Sequence, residues 1–321
     1  MGEFELIRNY FAAAPCAQPG EGVALGIGDD CALLSVAPGE QLAISTDTLV
    51  AGVHFPDVCD PFLLGQRALG VSASDLAAMG AKPLAFTLAL TLPNVSADWL
   101  QAFARGLNEM AQGCSMRLIG GDTTRGPLSL TVTVFGSVPA GLALTRSGAR
   151  SGDLLCVGGP LGDGAGALPL VLNQRSTEAS TTKALLARYW SPQPQLELGQ
   201  ALRGKATAAL DISDGLLADC GHIALASGVR LLVERERLPM SDALLAFFGL
   251  DDARQAALTG GDDYVLAFTL PQPELASLVS AGWPVSVVGR VVEGQGVALI
   301  DEQGQDITPL TRGYQHFRET R

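Results

Sequence analysis

Lysine is scarce in this chain of 321 residues: Lys82, Lys183 and Lys205 are the only three. Acidic residues number 33 against 21 basic ones, a formal charge of −12. So few cations cannot neutralise a run of backbone phosphates, which excludes nucleic acid as a partner. Small phosphorylated molecules stay open, because divalent cations can bridge an acidic protein to an anion. Aromatics are also thin, at 6%, while glycine reaches 38 residues. That balance fits α/β architecture with many tight strand-to-helix turns. Hydrophobic residues at 47% and charged residues at 17% exclude disorder. No C-x-x-C pair joins Cys16, Cys31, Cys59, Cys114, Cys156 or Cys220, which removes zinc-ribbon and thioredoxin chemistry. Their apolar surroundings predict reduced, buried thiols. No apolar run reaches membrane-spanning length. The opening MGEFELIRNYFAAAP carries acids where a secretory signal has bases. The expectation is a soluble, cytoplasmic protein with no membrane partner.

Familiar phosphate-handling signatures are missing too. Gly199 to Ala206 (GQALRGKA) nearly spells G-x-x-x-x-G-K-[ST], but Ala206 replaces the metal-binding hydroxyl and the segment reads as helix. The turn Gly158 to Gly166 follows a strand and opens a helix, yet lacks the third glycine of a dinucleotide site. Its N–H groups could meet a phosphate; a structural turn is the favoured reading. No protein-kinase set and no G-x-S-x-G occurs. The histidines His54, His222 and His316 form no metal-ligand pattern.

The length predicts two domains, 1–140 and 141–321. In the first, strands are expected at 41–46, 84–92, 116–119 and 128–138, with helices at 3–14, 61–80 and 99–113. In the second, strands at 153–157, 208–212, 229–233, 265–270, 285–291 and 297–300 alternate with helices to 172, at 195–202 and at 216–227. Residues 173–182 are polar and read as a mobile loop.

What is abundant is acid beside glycine or serine, often where a strand ends. Six motifs stand out: Gly28-Asp29-Asp30-Cys31, Ser45-Thr46-Asp47, Ser74-Asp75, Gly120-Gly121-Asp122-Thr123, Asp211-Ile212-Ser213-Asp214-Gly215 and Gly260-Gly261-Asp262-Asp263-Tyr264. Strand carboxyl ends are where open α/β sheets bind ligands. Converging carboxylates cannot stay ionised unaided: two charges 4 Å apart repel by about 4 kcal/mol at an effective dielectric near 20. Carboxylates with hydroxyls are hard oxygen donors suited to Mg²⁺, which normally also holds phosphate oxygens. Any one of these aspartates could instead be a helix cap or turn residue; six together favour a cation and nucleotide site.

These residues, in this order, resemble the thiamine-monophosphate kinase family. The likeness covers nearly the whole chain: FELI at 4–7, GIGDDCA at 26–32, STDTLVAGVHF at 45–55, SDLAAMGAKP at 74–83, GGDTTRG at 120–126, LTRSGAR at 144–150, DISDGL at 211–216, GGDDY at 260–264 and GYQHF at 313–317. The GGD and SDG elements alone are shared with the wider superfamily of aminoimidazole ribonucleotide synthetase. The resemblance implies a two-domain PurM-like fold, α/β with α+β character. Its N-terminal domain forms a β-barrel shared in a homodimer, a C-terminal α/β domain lies beside it, and nucleotide sits in the cleft between. It implies ATP-dependent phosphorylation of thiamine monophosphate to thiamine diphosphate. Asp30, Ser45, Thr46, Asp47, Asp75, Asp122, Asp211 and Asp214 would hold several Mg²⁺ ions on ATP. Gly121, Asp122, Arg146 and Ser213 would contact ATP, with Asp75, Asp122 and Arg146 serving catalysis. His54, Asp262 and an aromatic of GYQHF, Tyr314 or Phe317, would hold the substrate. The family usually has Glu where Asp262 stands, and a nucleotide-contacting Tyr where this chain has Ala104 and Arg105. No His or Cys other than Cys31 lies within an acidic motif, so the expected chemistry is direct in-line transfer. A selenophosphate synthetase would need a reactive Cys in an N-terminal Gly-rich loop, and none fits.

Overall fold

The protein is described here by a computed structural model of residues 3–18, 20–28 and 30–314. The chain divides into two compact units. Unit 1 holds residues 1–76, 81–143 and 190–196; unit 2 holds 77–80, 144–189 and 197–321.

Unit 1 opens with a short helix, α1 (Glu3–Leu6), that runs on as a π-helical turn, Ile7–Ala12. A hairpin of β1 (Val23–Leu25) and β2 (Leu33–Leu34) follows. The main elements are β3 (Glu40–Val50), α2 (Pro61–Ala78), β4 (Lys82–Leu92), α3 (Ala97–Gly113), β5 (Arg117–Arg125) and β6 (Ser129–Pro139). Four strands make one sheet in the order β3-β6-β4-β5, with β4 and β5 parallel and the other pairs antiparallel. Strand alternation sorts its two faces. Leu88 and Leu90 of β4 and Leu130, Val132 and Val134 of β6 are buried on one face. Thr87, Ala89, Thr131 and Thr133 alternate with them on the other, more open face. Ser96 starts α3 by accepting the Trp99 N–H. Helices α2 and α3 cross backbone to backbone: a Cβ on Gly65 would lie 2.4 Å from the Phe103 carbonyl oxygen, and one on Gly106 1.9 Å from that of Phe62. On the open face the hairpin packs Val23, Ala32 and Leu34 against Leu84, Ala85, Ile119 and Phe135.

Unit 2 contains β7 (Leu154–Val157), α4 (Asp163–Val171), α5 (Ala179–Trp190), α6 (Leu196–Leu202), β8 (Ala208–Asp211), α7 (Leu216–Ser227) and β9 (Arg230–Glu234). It continues with α8 (Asp242–Phe248), α9 (Leu250–Thr259), β10 (Leu266–Leu270), α10 (Gln272–Ser280), β11 (Ser286–Val292) and β12 (Gly296–Ile300). Its sheet runs β12-β9-β11-β7-β10-β8, antiparallel except for the β12–β9 pair. The core is aliphatic, with Leu155, Val157, Leu210, Ile223, Leu231, Ala267 and Val288 buried together.

The 173–182 segment differs from the mobile loop expected. Helix α5 already begins at Ala179. Arg175 places its guanidinium 4.4 Å from the Phe247 ring centroid and donates to the Phe247 carbonyl at 3.2 Å. A cation seated on a ring face and hydrogen-bonded beneath it anchors the loop. All six cysteines are free thiols, four of them buried. Burial pushes Cys114 and Cys156 up to about 12, so both are inert thiols at neutral pH. Among the described residues no helix is long and apolar enough to cross a membrane.

Candidate phosphoryl-transfer site

The acids of unit 1 come as pairs. Strand β3 directs alternate residues to opposite faces, and Ser45 and Asp47 share the face turned toward α2. There the Ser45 hydroxyl donates to Asp75 Oδ2 at 2.5 Å. Asp75 and Ser72 lie one helical turn apart on α2 and meet the same strand. Burial, followed by the charge of Asp75, pushes the Asp47 carboxyl from 3.8 to about 6, although a hydrogen bond from Ser72 opposes the rise. Two carboxylates and two hydroxyls thus share one partly desolvated spot that favours a cation.

Thr46 does not join them. Its hydroxyl lies on the open face, 2.9 Å from the Thr133 hydroxyl, with Thr48 and Thr131 paired the same way. The reason is the period of two along a strand: neighbours of a residue cannot share its face.

The second pair is on the open face. A cleft of about 1150 Å³ is lined by Gly28, Asp30, Gly121 and Asp122. Ile7, Phe11, Leu118 and Phe135 are among its apolar lining, and among the described residues Arg8 is the one basic residue lining it. The hairpin that packs on β4–β6 carries the GDDC loop, which is what sets Asp30 at this cleft; Asp29 lies outside the described residues. Asp122 sits at the register position of Ala89, on the open face. Among the described residues no three His, Cys, Asp or Glu side chains form a metal-holding group by themselves.

His54 follows β3 in a tight turn. Its Nδ1 accepts the Val50 N–H at 3.0 Å, so a neutral imidazole carries its proton on Nε2.

In unit 2, Asp211 ends β8 and is buried, Asp214 is half-buried and Ser213 is exposed. The 260–264 turn lies directly against this loop. Asp262 N–H donates to the Ser213 carbonyl at 2.9 Å and Tyr264 N–H to that of Ile212 at 2.8 Å. Only glycine fits at 261, where a Cβ would fall 2.3 Å from the Ser213 carbonyl oxygen. Asp262 and Tyr264 both have positive φ, 68° and 52°, a conformation uncommon for residues with side chains. The Tyr264 hydroxyl donates to Asp262 Oδ1 at 2.8 Å. Tyr314 N–H donates to the Asp214 carbonyl at 3.0 Å, which brings the third substrate candidate to the same loop; Phe317 lies outside the described residues. Arg146 is exposed, and its carbonyl accepts the Ser227 hydroxyl at 3.2 Å.

At two helix starts of unit 2, main-chain N–H groups are occupied by carboxylates of the chain itself. Asp263 Oδ2 accepts the Gly162 N–H at 2.7 Å and its Oδ1 that of Gly164 at 3.2 Å, at the start of α4. Asp219 Oδ2 accepts the N–H groups of Ser213, Asp214 and Gly215 at 3.0–3.1 Å, at the start of α7. The turn at 158–166 is therefore structural, and a phosphate at either helix start would have to displace a buried carboxylate.

Residues 28–138 match the family model for the AIR synthase related protein N-terminal domain, and residues 150–302 that for its C-terminal domain. The thiamine-monophosphate kinase of Escherichia coli (strain K12) is 46% identical over 323 residues, 98% of each chain. That of Haemophilus influenzae is 41% identical over 330 residues, covering 100% of this chain and 99% of the relative. The chain belongs to the thiamine-monophosphate kinase family. Among solved structures, the kinase from Stenotrophomonas maltophilia K279a superimposes with a TM-score of 0.82 at 47% identity, covering 87% of this chain and 91% of that one. AaThiL complexed with AMPPCP and TMP gives a TM-score of 0.80 at 30% identity, covering 88% and 89%. Escherichia coli HypE, a hydrogenase maturation protein, gives 0.77 at 23% identity and shares the fold.

The Arg105 guanidinium lies 5.0 Å from the Phe62 ring centroid. Sequence reasoning missed Ser72 and Asp219, and gave Asp263 and Tyr264 no role of their own within the GGDDY motif. Ser72 had a signal in its spacing of three from Asp75. The carboxylates at 219 and 263 had one in their proximity to loops whose N–H groups need partners.

Proposed function

We propose that this chain transfers the γ-phosphoryl group of ATP directly to the phosphate of thiamine monophosphate, giving thiamine diphosphate, with several Mg²⁺ ions. The relatives named above support the activity. The observation on this chain that carries the cation requirement is the Ser45–Asp47–Ser72–Asp75 group: hard oxygen donors gathered where β3 meets α2, with the Ser45 hydroxyl on Asp75 and the Asp47 carboxyl pushed up by burial and by the charge of Asp75. Such a set fits Mg²⁺, which binds through one or two carboxylates and completes its shell with water and phosphate. Pairs rather than a closed cage suit that habit.

In this reading Asp30, Ser45, Asp47, Asp75 and Asp122 of unit 1 and Asp211 and Asp214 of unit 2 hold the ions; any part for Thr46 falls to its main-chain carbonyl. Bound Mg²⁺ supplies the charge neutralisation that lets two anionic phosphates approach. Gly121, Asp122 and Ser213 orient ATP, and Arg146 is the guanidinium for its transferring phosphate. Because the N–H cradles at 162–164 and 213–215 are filled, unit 2 must meet phosphate through cations and side chains. His54 offers its Nε2–H to the substrate, and Asp262 and Tyr314 contact the thiamine moiety. The acceptor phosphate is ionised at neutral pH, so no strong base is needed. Transfer is in line between the two substrates, with no covalent carrier.

The working form is a homodimer in the cytoplasm. Leu42 and Ile44, 41% and 59% exposed on the open face of β3, are the large apolar residues such an interface would cover. Purified protein with Mg-ATP and thiamine monophosphate should yield thiamine diphosphate by chromatography. ADP without thiamine diphosphate, or no turnover, would sink the reading.

A further inference from the structure

Asp219 is buried and is given no part in the chemistry above. Its place in the fold is nonetheless particular. A single oxygen, Oδ2, accepts three consecutive main-chain N–H groups, those of Ser213, Asp214 and Gly215. Successive N–H groups that converge form a concave anion cradle, and charge-assisted bonds to a carboxylate are stronger than neutral ones. This cradle is filled by the chain itself, so the loop's conformation is set before any ligand arrives.

The carbonyls of that same loop then hold two other segments. Ile212 and Ser213 accept from Tyr264 and Asp262, and Asp214 accepts from Tyr314. The segments that bear Asp262 and Tyr314 are therefore each fastened to the loop of Ser213 and Asp214, which the Asp219 carboxylate holds. The core needs the charge much less. Helix α7 is packed by Leu216, Leu217, Cys220, Ile223 and Ala224, and an isosteric amide fits the same volume.

We propose that Asp219 is a positioning residue that fixes the 211–215 loop, and through it the 260–264 turn and the Tyr314 main chain, so that nucleotide and thiamine-phosphate binding depend on it together. The proposal rests on the functional reading of Ser213, Asp214, Asp262 and Tyr314 given above. Asp263 provides the contrast. It sits in the 260–264 turn and seats that turn on α4 through Gly162 and Gly164, with no bond to the 211–215 loop shown for its side chain.

The test compares Asp219→Asn and Asp263→Asn with the parent enzyme. For Asp219→Asn, KM for ATP and KM for thiamine monophosphate should each rise about tenfold, the scale of one lost charge-assisted hydrogen bond. Amide hydrogen exchange should lose protection both at 213–215 and at 262 and 264. Asp263→Asn should lose protection at 162 and 164 and raise KM for thiamine monophosphate alone. A merely structural Asp219 would lower melting temperature and active fraction while leaving both KM values at the parent level, and that outcome overturns the proposal. So does a rise in only one of the two. Should Asp219→Asn fail to fold, Asp219→Ser keeps a small polar side chain in the same place and is judged by the same measurements. If the parent enzyme does not convert thiamine monophosphate, it is the functional reading that fails; the exchange pattern still decides whether Asp219 holds both segments.

Discussion

Ser45 on β3 donates its hydroxyl to Asp75 on α2 over 2.5 Å, tying strand to helix at the acidic pair. An Asn at 75 keeps an acceptor for that hydroxyl but loses the charge. Asp75→Asn should therefore fold normally and lose at least about a hundredfold in kcat, the scale of one electrostatic contact to a transition state. The same is expected of Asp47→Asn and Asp122→Asn. Steady-state kinetics with magnesium titration checks each; near-normal kcat with unchanged Mg²⁺ dependence removes that residue from the site.

A proton and a cation should compete at Asp47. Its carboxyl is raised from 3.8 to about 6 by burial and then by the charge of Asp75. Without a cation, the stability it contributes is present below the lower value and lost as pH rises through the higher one. Magnesium needs the ionised form, so its stabilising effect should be large near about pH 8 and small near about pH 5. Thermal melts of nucleotide-free protein with and without Mg²⁺ read this directly. Asp47→Asn should shrink both trends; an unchanged Mg²⁺ shift at low pH speaks against Asp47 as a ligand.

Asp262 is strained at positive φ and held by the Tyr264 hydroxyl. That pairing fixes where its shorter carboxylate points. Asp262→Ala should raise KM for thiamine monophosphate and spare KM for ATP, because ground-state binding of one substrate is lost. Tyr264→Phe should produce a weaker effect of the same kind. Asp262→Glu should leave kcat nearly unchanged. A variant with a lowered melting temperature but normal Michaelis constants would reduce Asp262 to a turn residue.

The apolar pair on β3 predicts assembly. Light scattering at micromolar concentration should give twice the chain mass, and Ile44→Arg should shift it toward the monomer. A parent protein that runs as a monomer contradicts the dimer.

Much of the fold was legible because its signals are local. Pro61 at a first helical turn, the period-two run at 84–92 and Gly113 closing α3 all mark their elements within one or two residues. Strand β3 was read as 41–46 and runs to Val50, since acid and threonine at 46–48 hide a strand whose pairing with β6 overrides propensity. Helices α8, α9 and α10 were not read at all, although Ser241 caps α8 by accepting the Leu244 N–H. In the site, residue types were legible and faces were not. The motif Ser45-Thr46-Asp47 is continuous in sequence, whereas the strand turns the Thr46 side chain to the face opposite Ser45 and Asp47. The roles of Asp219 and Asp263 depend on long-range or loop-to-helix contacts that no motif spells out.

The alternation along β3 has one last consequence. A single edge strand presents Ser45 and Asp47 to one side and Leu42, Ile44 and Thr46 to the other. Sliding it by one residue against β6 would turn Asp47 outward and bring Thr46 in, exchanging the cation-binding surface for the apolar one. The eleven paired positions from Glu40–Pro139 to Val50–Ser129 thus act as a ruler: a misaligned strand would lose the proposed cation site and the proposed dimer face in the same error, so a chain that dimerises through that face has already turned Asp47 toward α2.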